Sequence, residues 1–301
     1  MQLNSGNDLR ANLRSACSSV RAAVEQGAQL VMLPEYAALL DGSGRVMREN
    51  SYPEERHPAL SEFRALARET RAWLLPGSIT VKIDGDGAQM ANRSYLLSPD
   101  GTIVARYDKI HMFDVTLPSG KAIRESGAYR PGTQAVIADL PWGRLGMTVC
   151  YDLRFPHLYR ALARAGALFL AVPSSFQRET GVAHWHTLLR ARAIENLSYV
   201  FAPAMCGDHP GNRSTYGHSL IVDPWGKVLA ELGAEPGIAI ADIDAAEVHR
   251  VRGMLPSLEH DRGYAAPQTG TGGSICVSPC NGARLMAARN PAAQSKCSPD
   301  K

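Results

Sequence analysis

The alternation of apolar and polar positions predicts a chain of alternating helices and strands. Apolar residues recur at helical intervals between Leu9 and Val24, and Asn7 or Asp8 can cap the first turn. Short apolar runs bounded by turn residues predict strands. The predicted helices cover residues 9–24, 59–70, 156–165, 183–197 and 245–252, and the predicted strands cover residues 30–33, 73–81, 94–97, 102–105, 145–149, 168–172, 199–202, 219–222, 227–232 and 238–243. This order indicates an α/β protein with mixed sheets.

Two segments share one turn chemistry and predict two similar hairpins. Residues 94–105 and 219–230 carry Ser, Pro, Gly and Ala at matching offsets, with apolar residues between them. Proline presets φ and glycine accepts a positive φ, so Pro-x-Gly between apolar runs is a turn. The recurrence favours two sheets packed face to face with helices outside. The alternative is that two unrelated hairpins share their turn residues by chance. The other predicted turn lies at residues 84–87.

The composition excludes several classes of protein. Of 301 residues, 45% are hydrophobic and 20% charged, which is typical of a globular chain. The net charge is +3 without any run of like charges, so neither nucleic acid nor a membrane is an expected partner. The longest charge-free apolar stretch, residues 165–177, is shorter than the roughly 20 residues of a membrane helix. The first residues lack the pattern of a signal peptide, and we expect a cytoplasmic protein.

The cysteines and the end of the chain divide the sequence into two parts. Six cysteines are too few for a disulfide scaffold, so those in the body are expected to be free thiols. From residue 263 to residue 301 the composition shifts to Gly, Pro and Ser, which predicts a mobile, low-complexity tail after a domain covering residues 1–262. Cys276 and Cys280 in this tail have no partner pair at zinc-finger spacing, which argues against a metal site there.

Three polar residues stand where candidate chemistry is expected. Glu35, Lys109 and Cys150 each follow a predicted strand, and in α/β folds ligands gather at that edge. The helix that begins near Pro156, together with Lys109, would lower the pKa of the Cys150 thiol, and Glu35 could accept its proton. The alternative is a buried, inert cysteine with solvated loop residues, because sequence spacing does not show that the three meet.

Several motifs together carry a family resemblance. Residues 33–35, 107–115 and 149–156 resemble the three catalytic segments of the nitrilase superfamily of carbon–nitrogen hydrolases. Further matching motifs lie at residues 181–185, 189–196, 216–219 and 222–226. The resemblance covers about residues 2–262 in the family's order and is closest to the amidase branch.

The resemblance implies a fold and a mechanism. The implied fold is a four-layer αββα sandwich of two mixed sheets. Cys150 is implied as the nucleophile, Glu35 as the general base, Lys109 as the oxyanion stabiliser and Glu125 as the second glutamate that positions the lysine. The expected reaction is cysteine-dependent cleavage of the C–N bond of a small carboxylate-bearing amide through a thioester. Neither a metal nor an organic cofactor is expected.

Substrate contacts are expected near the nucleophile. Residues 174–178 follow a strand at the same edge, and Tyr151, Arg154, Phe176 and Arg178 are the candidates, with either arginine able to hold a substrate carboxylate. His184 and His186 resemble a metal-binding pair, but the helical stripe around Trp185 favours histidines that only flank a buried tryptophan.

Two departures from the family and three other hypotheses remain. The chain is expected to begin within the family's first strand, and the resemblance does not extend to the tail. A homodimer or higher homo-oligomer is expected through the helices predicted at residues 156–165 and 183–197. An ω-amidase or another carbamoyl or nitrile hydrolase is the alternative within the superfamily. A catalytically silent binding or scaffold protein, or a redox or metal protein using Cys276 and Cys280, is the alternative outside it.

Overall fold

The first helix begins where the sequence predicts. The Asp8 side chain accepts a hydrogen bond of 3.0 Å from the backbone N–H of Ala11, which satisfies one of the free donors of the first turn. The helix then buries Ala16, Cys17 and Val20 on one face. Local capping and the apolar stripe therefore account for this element.

The computed structural model describes residues 1–83 and 89–265, and residues 1–261 form one unit. Its α-helices are α1 (Leu9–Glu25), α2 (Arg45–Glu49), α3 (Pro58–Thr70), α4 (Pro156–Arg164), α5 (Arg178–Asn196) and α6 (Ala245–Met254). Short 3-10 helices cover Glu54–Arg56, Glu125–Gly127 and Cys150–Arg154. The strands are β1 (Gln2–Leu3), β2 (Leu30–Met32), β3 (Trp73–Leu75), β4 (Ser78–Lys82), β5 (Met90–Leu97), β6 (Ile103–Asp108), β7 (Asp114–Thr116), β8 (Ala122–Arg124), β9 (Val136–Leu140), β10 (Gly143–Met147), β11 (Ala167–Ala171), β12 (Tyr199–Ala202), β13 (Ala204–His209), β14 (Arg213–Tyr216), β15 (Leu220–Val222) and β16 (Val228–Glu231).

Two mixed sheets form the centre of the unit. One has the order β2-β3-β5-β4 with β6 paired to β5, and the other has the order β16-β15-β12-β11-β10-β9. The β2/β3, β10/β11 and β11/β12 pairs are parallel, and the remaining pairs in these sheets are antiparallel. Two smaller sheets have the orders β1-β13-β14 and β7-β8.

Strand residues alternate between two apolar cores, and this alternation creates the layers. In β2 and the residue after it, Val31 and Leu33 join the core that contains α1 and α3, whereas Met32 joins the core that contains α4 and α5. Leu74 and Leu75 divide in the same way. Because successive side chains of a strand point to opposite faces, the first sheet has helices on one side and the second sheet on the other. The predicted four-layer αββα sandwich is confirmed.

Both predicted hairpins are present and share an irregularity. The β5–β6 and β15–β16 pairs are antiparallel, and each shows a register shift, between Leu96 and Leu97 in the first and between Ile221 and Val222 in the second. Each turn places its glycine at positive φ, 77° at Gly101 and 86° at Gly226. The repeated turn chemistry therefore does correspond to repeated structure. The predicted turn at residues 84–87 lies outside the described residues.

Two strand predictions are wrong in detail. Residues 238–243 form no strand, because the bridge to Gln2 is made by the preceding Gly237, and Ile238 and Ile243 pack on the cores without a ladder. Residues 73–81 form two strands, because the chain breaks at residues 76–77. Gly77 has a φ of 68°, and a Cβ there would lie 1.7 Å from the Pro34 carbonyl oxygen. This close approach brings β4 against the segment that carries Glu35.

The amino-terminal strand belongs to one of the two smaller sheets. Strand β1 pairs in parallel with β13, Gln2 opposite Ala204 and Leu3 opposite Met205. The predicted tail, with Cys276, Cys280 and Cys297, lies outside the described residues from residue 266 onward, and the domain boundary at residue 262 stays a prediction. Among the described helices, none has the length and apolar character that a membrane crossing requires.

Candidate active site

Four residues predicted from separate motifs meet at one edge of the sandwich. Glu35 follows β2, Lys109 follows β6, Glu125 begins the 3-10 helix after β8, and Cys150 follows β10. The Lys109 Nζ lies 3.1 Å from Glu35 Oε1 and 2.9 and 2.8 Å from the two Glu125 oxygens. Glu35 is 1% exposed and Lys109 is 2% exposed. One buried ammonium therefore bridges two carboxylates.

Cys150 joins this cluster through a strained turn. Its φ is 51°, a left-handed conformation that costs free energy for any residue with a side chain. The turn is held because the Cys150 backbone N–H donates to the Pro173 carbonyl oxygen at 3.0 Å. The Cys150 thiol lies near enough to the Glu35 carboxylate for the two groups to shift each other's pKa. The sharp turn thus presents the sulfur to the carboxylate.

Glu35 is held as a carboxylate. Its oxygens accept hydrogen bonds of 2.8 Å from the Ser175 backbone N–H and 2.8 Å from the Asn92 side chain. Burial alone would raise the pKa of Glu35, but the Lys109 ammonium and the Arg213 guanidinium outweigh it and keep that pKa below its ordinary value. Glu35 is therefore ready to accept a proton.

The predicted direction of the cysteine pKa is wrong. Burial, and next the negative charge of Glu35, raise the pKa of the Cys150 thiol well above its ordinary value, and Lys109 offsets this only in part. The helix expected to lower this pKa, α4, does begin at Pro156, but a 3-10 turn, Cys150–Arg154, lies between it and the thiol in the chain. The resting pair is therefore a thiol and a carboxylate, and the thiol loses its proton only when Glu35 takes it.

The ammonium of Lys109 is equally well fixed. Burial would lower the pKa of Lys109, but Glu125 and Glu35 raise it above its ordinary value. Glu125 also accepts a hydrogen bond of 2.6 Å from the Phe113 backbone N–H, which fixes the carboxylate that faces the lysine. The site therefore presents a permanent positive charge beside the sulfur.

Sequence reasoning missed a fully buried aspartate that shapes the cysteine turn. Asp152 Oδ2 accepts hydrogen bonds from the Tyr107 hydroxyl at 2.6 Å and the Val149 backbone N–H at 2.9 Å. Its Oδ1 accepts from the His111 backbone N–H at 3.0 Å and the His111 Nδ1 at 2.7 Å. The signal was present, since all of these residues stand inside the Lys109 and Cys150 motifs. Asp152 thus joins the two motifs behind the site.

Asn92, Tyr36 and Arg213 were also missed. The Asn92 side-chain amide donates to the Tyr36 hydroxyl at 2.9 Å as well as to Glu35. The Arg213 guanidinium lies 5.8 Å from the centroid of the Tyr36 ring and donates to the Ser175 hydroxyl at 3.0 Å. No local sequence pattern distinguishes Asn92 and Arg213, because only the packing of β5 and β14 brings them near Glu35, whereas Tyr36 directly follows Glu35 in the chain.

Three of the four predicted substrate contacts lie together. The Arg154 guanidinium carbon lies 5.9 Å from the Tyr151 ring centroid and 5.3 Å from the Phe176 ring centroid. Tyr151 also packs edge-on against Phe113 at 5.0 Å. These side chains form a partly apolar wall with one cation next to Cys150. Such a wall suits a small ligand that carries a negative charge.

Arg178 lies elsewhere. It is the first residue of α5, its side chain is 49% exposed, and it pairs with Asp208 at 3.1 Å. Within the described part of the chain, no hydrogen bond or ion pair joins it to Glu35, Lys109, Glu125 or Cys150. Although Arg178 lies only two positions after Phe176 in sequence, its guanidinium is engaged by Asp208.

The predicted surroundings of Trp185 are present. Trp185 is fully buried, and its indole N–H donates to the His218 carbonyl oxygen at 2.8 Å. His184 lies on the exposed side of α5 and its Nδ1 is 3.3 Å from an Arg154 nitrogen. His186 instead faces Glu231, with 2.7 Å between His186 Nε2 and Glu231 Oε1. The two histidines therefore do not form a pair with each other.

A family model described as carbon-nitrogen hydrolase matches residues 1–253. The chain belongs to the carbon–nitrogen hydrolase family. It is 40% identical over 263 residues to the deaminated glutathione amidase of Synechocystis sp., covering 86% of this chain and 96% of the relative. The similarity of this hydrolase to that amidase therefore extends over most of the chain.

Solved structures agree with this membership. Saccharomyces cerevisiae Nit3, a member of branch 10 of the nitrilase superfamily, is 30% identical and superimposes with a TM-score of 0.75 over 84% of this chain and 91% of Nit3. An amidase from Nesterenkonia sp. AN1 is 28% identical with a TM-score of 0.70, over 85% of this chain and 96% of that one. That structure is of a glutamate-to-glutamine mutant of the amidase, in which acrylamide has added at the active-site cysteine. The nitrilase-superfamily resemblance is confirmed.

Proposed function

We propose that this hydrolase cleaves the C–N bond of a small carboxylate-bearing amide of the deaminated glutathione type, with Cys150 as the nucleophile. The observation that carries the proposal is the buried cluster in which the Cys150 thiol faces Glu35 while Lys109 bridges Glu35 and Glu125. The cluster supplies a nucleophile, a base and a fixed positive charge within one hydrogen-bonded unit.

The first half of the reaction forms a thioester. Glu35 takes the thiol proton as the Cys150 sulfur bonds to the amide carbon. The developing oxyanion faces Lys109 and the backbone N–H of Tyr151, which lies in the first turn of a 3-10 helix, where backbone donors lack intrahelical acceptors. Each such donor contributes a few kcal/mol in oxyanion sites, about 3 kcal/mol being typical. The C–N bond then breaks, and Glu35 returns its proton to the leaving amine.

The second half releases the acid. Water attacks the thioester carbon while Glu35 accepts one of its protons. The C–S bond breaks, and the sulfur recovers the proton, which restores the thiol and the carboxylate. In this scheme Glu125 holds Lys109 in place, as supported by the two Lys109–Glu125 contacts of 2.9 and 2.8 Å.

The proposed substrate class rests on two observations. Arg154 lies over Tyr151 and Phe176 beside the nucleophile and is placed to pair with a substrate carboxylate. The amidase of Synechocystis sp. that is 40% identical is a deaminated glutathione amidase. We assign the carboxylate contact to Arg154 rather than Arg178, since Arg178 pairs with Asp208.

The experiment measures amine or ammonia release from deaminated glutathione, α-ketoglutaramate and a panel of uncharged amides. The proposal expects the highest kcat/KM with deaminated glutathione and no turnover with Cys150→Ala. A preference for α-ketoglutaramate would instead indicate an ω-amidase with the same mechanism. Equal activity of the Cys150→Ala variant would contradict the proposal.

We propose further that the enzyme is a cytoplasmic homodimer. Val182 and Ile194 on α5 are 69% and 44% exposed, an apolar character that suits a contact with a second copy. Cys17, Cys150 and Cys206 are free thiols, as expected in a reducing compartment. Light scattering after size-exclusion chromatography should give twice the mass of one chain for the parent. Val182→Asp should lower this mass towards that of one chain. Cell fractionation tests the compartment.

A further inference from the structure

A cluster of two histidines and a glutamate lies outside the candidate active site. His186 on α5, His218 before β15 and Glu231 at the end of β16 place one donor atom each within 4.8 Å of the other two. Glu231 Oε1 lies 2.7 Å from His186 Nε2 and 3.1 Å from His218 Nδ1. The catalytic scheme uses none of these residues.

The donor set and its spacing suit a transition metal. Imidazole nitrogens with a carboxylate oxygen are common ligands of Zn²⁺ and of neighbouring divalent ions. In a tetrahedral zinc site with bonds of about 2.0–2.1 Å, the ligand atoms lie roughly 3.3 Å apart. The two nitrogen–oxygen distances of 2.7 and 3.1 Å are shorter than that value, so the donor atoms must move apart by a few tenths of an ångström to admit an ion.

The backbone holds His218 in a costly conformation. Its φ is 55°, and the turn is fixed because its N–H donates to the Gly233 carbonyl oxygen at 3.0 Å and its carbonyl oxygen accepts from Trp185 Nε1 at 2.8 Å. The His218 ring stacks on Tyr216 with 4.3 Å between centroids. A histidine held this firmly is preorganised, which limits the ordering entropy that metal binding must overcome.

The site is accessible as well as preorganised. The side chains of His186, His218 and Glu231 are 36%, 27% and 34% exposed, so an ion can enter and solvent can supply a fourth ligand. Both histidines now donate to one oxygen. Binding requires that the nitrogen facing Glu231 carry no proton, so that its lone pair is free for the ion.

We propose that His186, His218 and Glu231 form a binding site for a divalent transition-metal ion of the zinc class. The ion joins α5 to the edge strand β16. It is separate from the hydrolytic reaction, which needs no metal in the scheme above.

Zinc titration of the full chain tests the site. The Cys150→Ala background removes the thiol of the candidate active site as a competing ligand. Isothermal titration should show one Zn²⁺ bound per chain, and His186→Gln, His218→Gln and Glu231→Gln should each weaken binding by about tenfold or more. His249→Gln, which changes an exposed histidine on α6, is the matched control and should leave the affinity unchanged.

Two spectroscopic readouts separate this site from the cysteines. With Co²⁺ the site should give visible ligand-field bands without the intense near-ultraviolet band of thiolate coordination. With Cu²⁺, electron paramagnetic resonance of the unsubstituted chain should show two nitrogen ligands, a result that needs no folded variant. Zn²⁺ should also raise the Tm of the parent chain but not that of the His186→Gln variant.

Several results would overturn the proposal. They are no saturable binding, equal affinity in the parent and the three cluster variants, or a cobalt spectrum dominated by thiolate. Each would leave the cluster as a hydrogen-bonded clasp between α5 and β16. None would bear on the proposed hydrolysis, because the amide assay with Cys150→Ala is independent of this site.

Discussion

Replacement of Asp152 by asparagine should damage both the fold and the nucleophile. The substitution keeps the shape of the side chain but turns one of two acceptor oxygens into an NH₂ donor. Asp152 is fully buried, and each of its oxygens accepts one backbone N–H and one side-chain donor. Whichever way the amide is turned, the new donor faces a backbone N–H, of Val149 or of His111.

The magnitude follows from that conflict. The Tyr107 hydroxyl and the His111 ring can switch to accepting, but a backbone N–H cannot. At least one hydrogen bond to a charged acceptor is therefore lost outright, which costs about 1.5–3 kcal/mol. Because Val149 precedes Cys150, the turn that presents the sulfur also shifts, and a misplaced reacting group lowers kcat by between about tenfold and a hundredfold.

Two assays check this prediction. Urea unfolding followed by circular dichroism should show a free energy of unfolding lower by about 1.5–3 kcal/mol. Alkylation of Cys150 by iodoacetamide, followed by peptide mass spectrometry, reports the state of the nucleophile without a substrate and should slow. Asp139→Asn, which changes an exposed residue paired with Arg144, is the control and should leave both readouts unchanged. If Asp152→Asn kept both the free energy of unfolding and the Cys150 alkylation rate of the parent, the hydrogen bonds of Asp152 would not hold the cysteine turn.

Three further changes test other parts of the structure. Arg154→Gln should raise the KM for a carboxylate-bearing amide about tenfold or more in steady-state assays, because an ion-paired hydrogen bond is lost, whereas Arg178→Gln should not; the reverse pattern would contradict the assignment. Burial lowers the pKa of His57 from 6.5 to about 4. As the pH falls, His57 therefore becomes protonated in the unfolded chain at a higher pH than in the folded chain. Between pH 7.5 and pH 5 the parent should therefore lose about 2 kcal/mol more unfolding free energy than His57→Gln, and parallel pH profiles would show that His57 is not the cause. Gly77→Ala should lower the free energy of unfolding by about 2 kcal/mol more than Gly120→Ala, because both have positive φ but only the Cβ at Gly77 would strike the Pro34 carbonyl. Equal losses in urea unfolding would mean that the contact with Pro34 is relieved by relaxation.

The local elements could be predicted from the sequence because local physics determines them. Helix α1 has its apolar stripe and its cap within one window of sequence, and the two hairpins have their turn residues between their strands. The segment at residues 238–243 shows the limit of this reasoning. Its apolar pattern is that of a strand, but a strand also needs a partner with free backbone groups, and the bridge to Gln2 is made by Gly237, just before the segment.

The residues of the candidate site likewise divide into those that sequence motifs identify and those that only the fold brings together. Glu35, Lys109, Glu125 and Cys150 could be identified because each lies in a motif after a strand, and the fold brings those strand ends together. Asn92 and Arg213 could not, because their roles come from contacts across different strands. Arg178, two positions after Phe176, begins α5 and pairs with Asp208, a contact across elements that the sequence does not show.

The pKa of Cys150 could not be predicted from the motif for a physical reason. The sequence shows a lysine and a helix, both of which favour a thiolate, but it does not show burial. In the folded chain, burial and the adjacent Glu35 carboxylate dominate, and the thiol stays protonated. The mechanism consequently depends on Glu35 as a base rather than on a preformed thiolate.

In the proposed mechanism, Cys150 carries the acyl group of the substrate as a thioester during hydrolysis. Rapid quenching during turnover of deaminated glutathione, followed by intact-mass and peptide mass spectrometry, measures this directly. In the parent enzyme we expect a covalent adduct on Cys150 with the mass of the acyl part of the substrate. The adduct should be absent in Cys150→Ala and should be removed by hydroxylamine. Turnover that proceeds with no adduct on Cys150, and that persists in Cys150→Ala, would contradict the account.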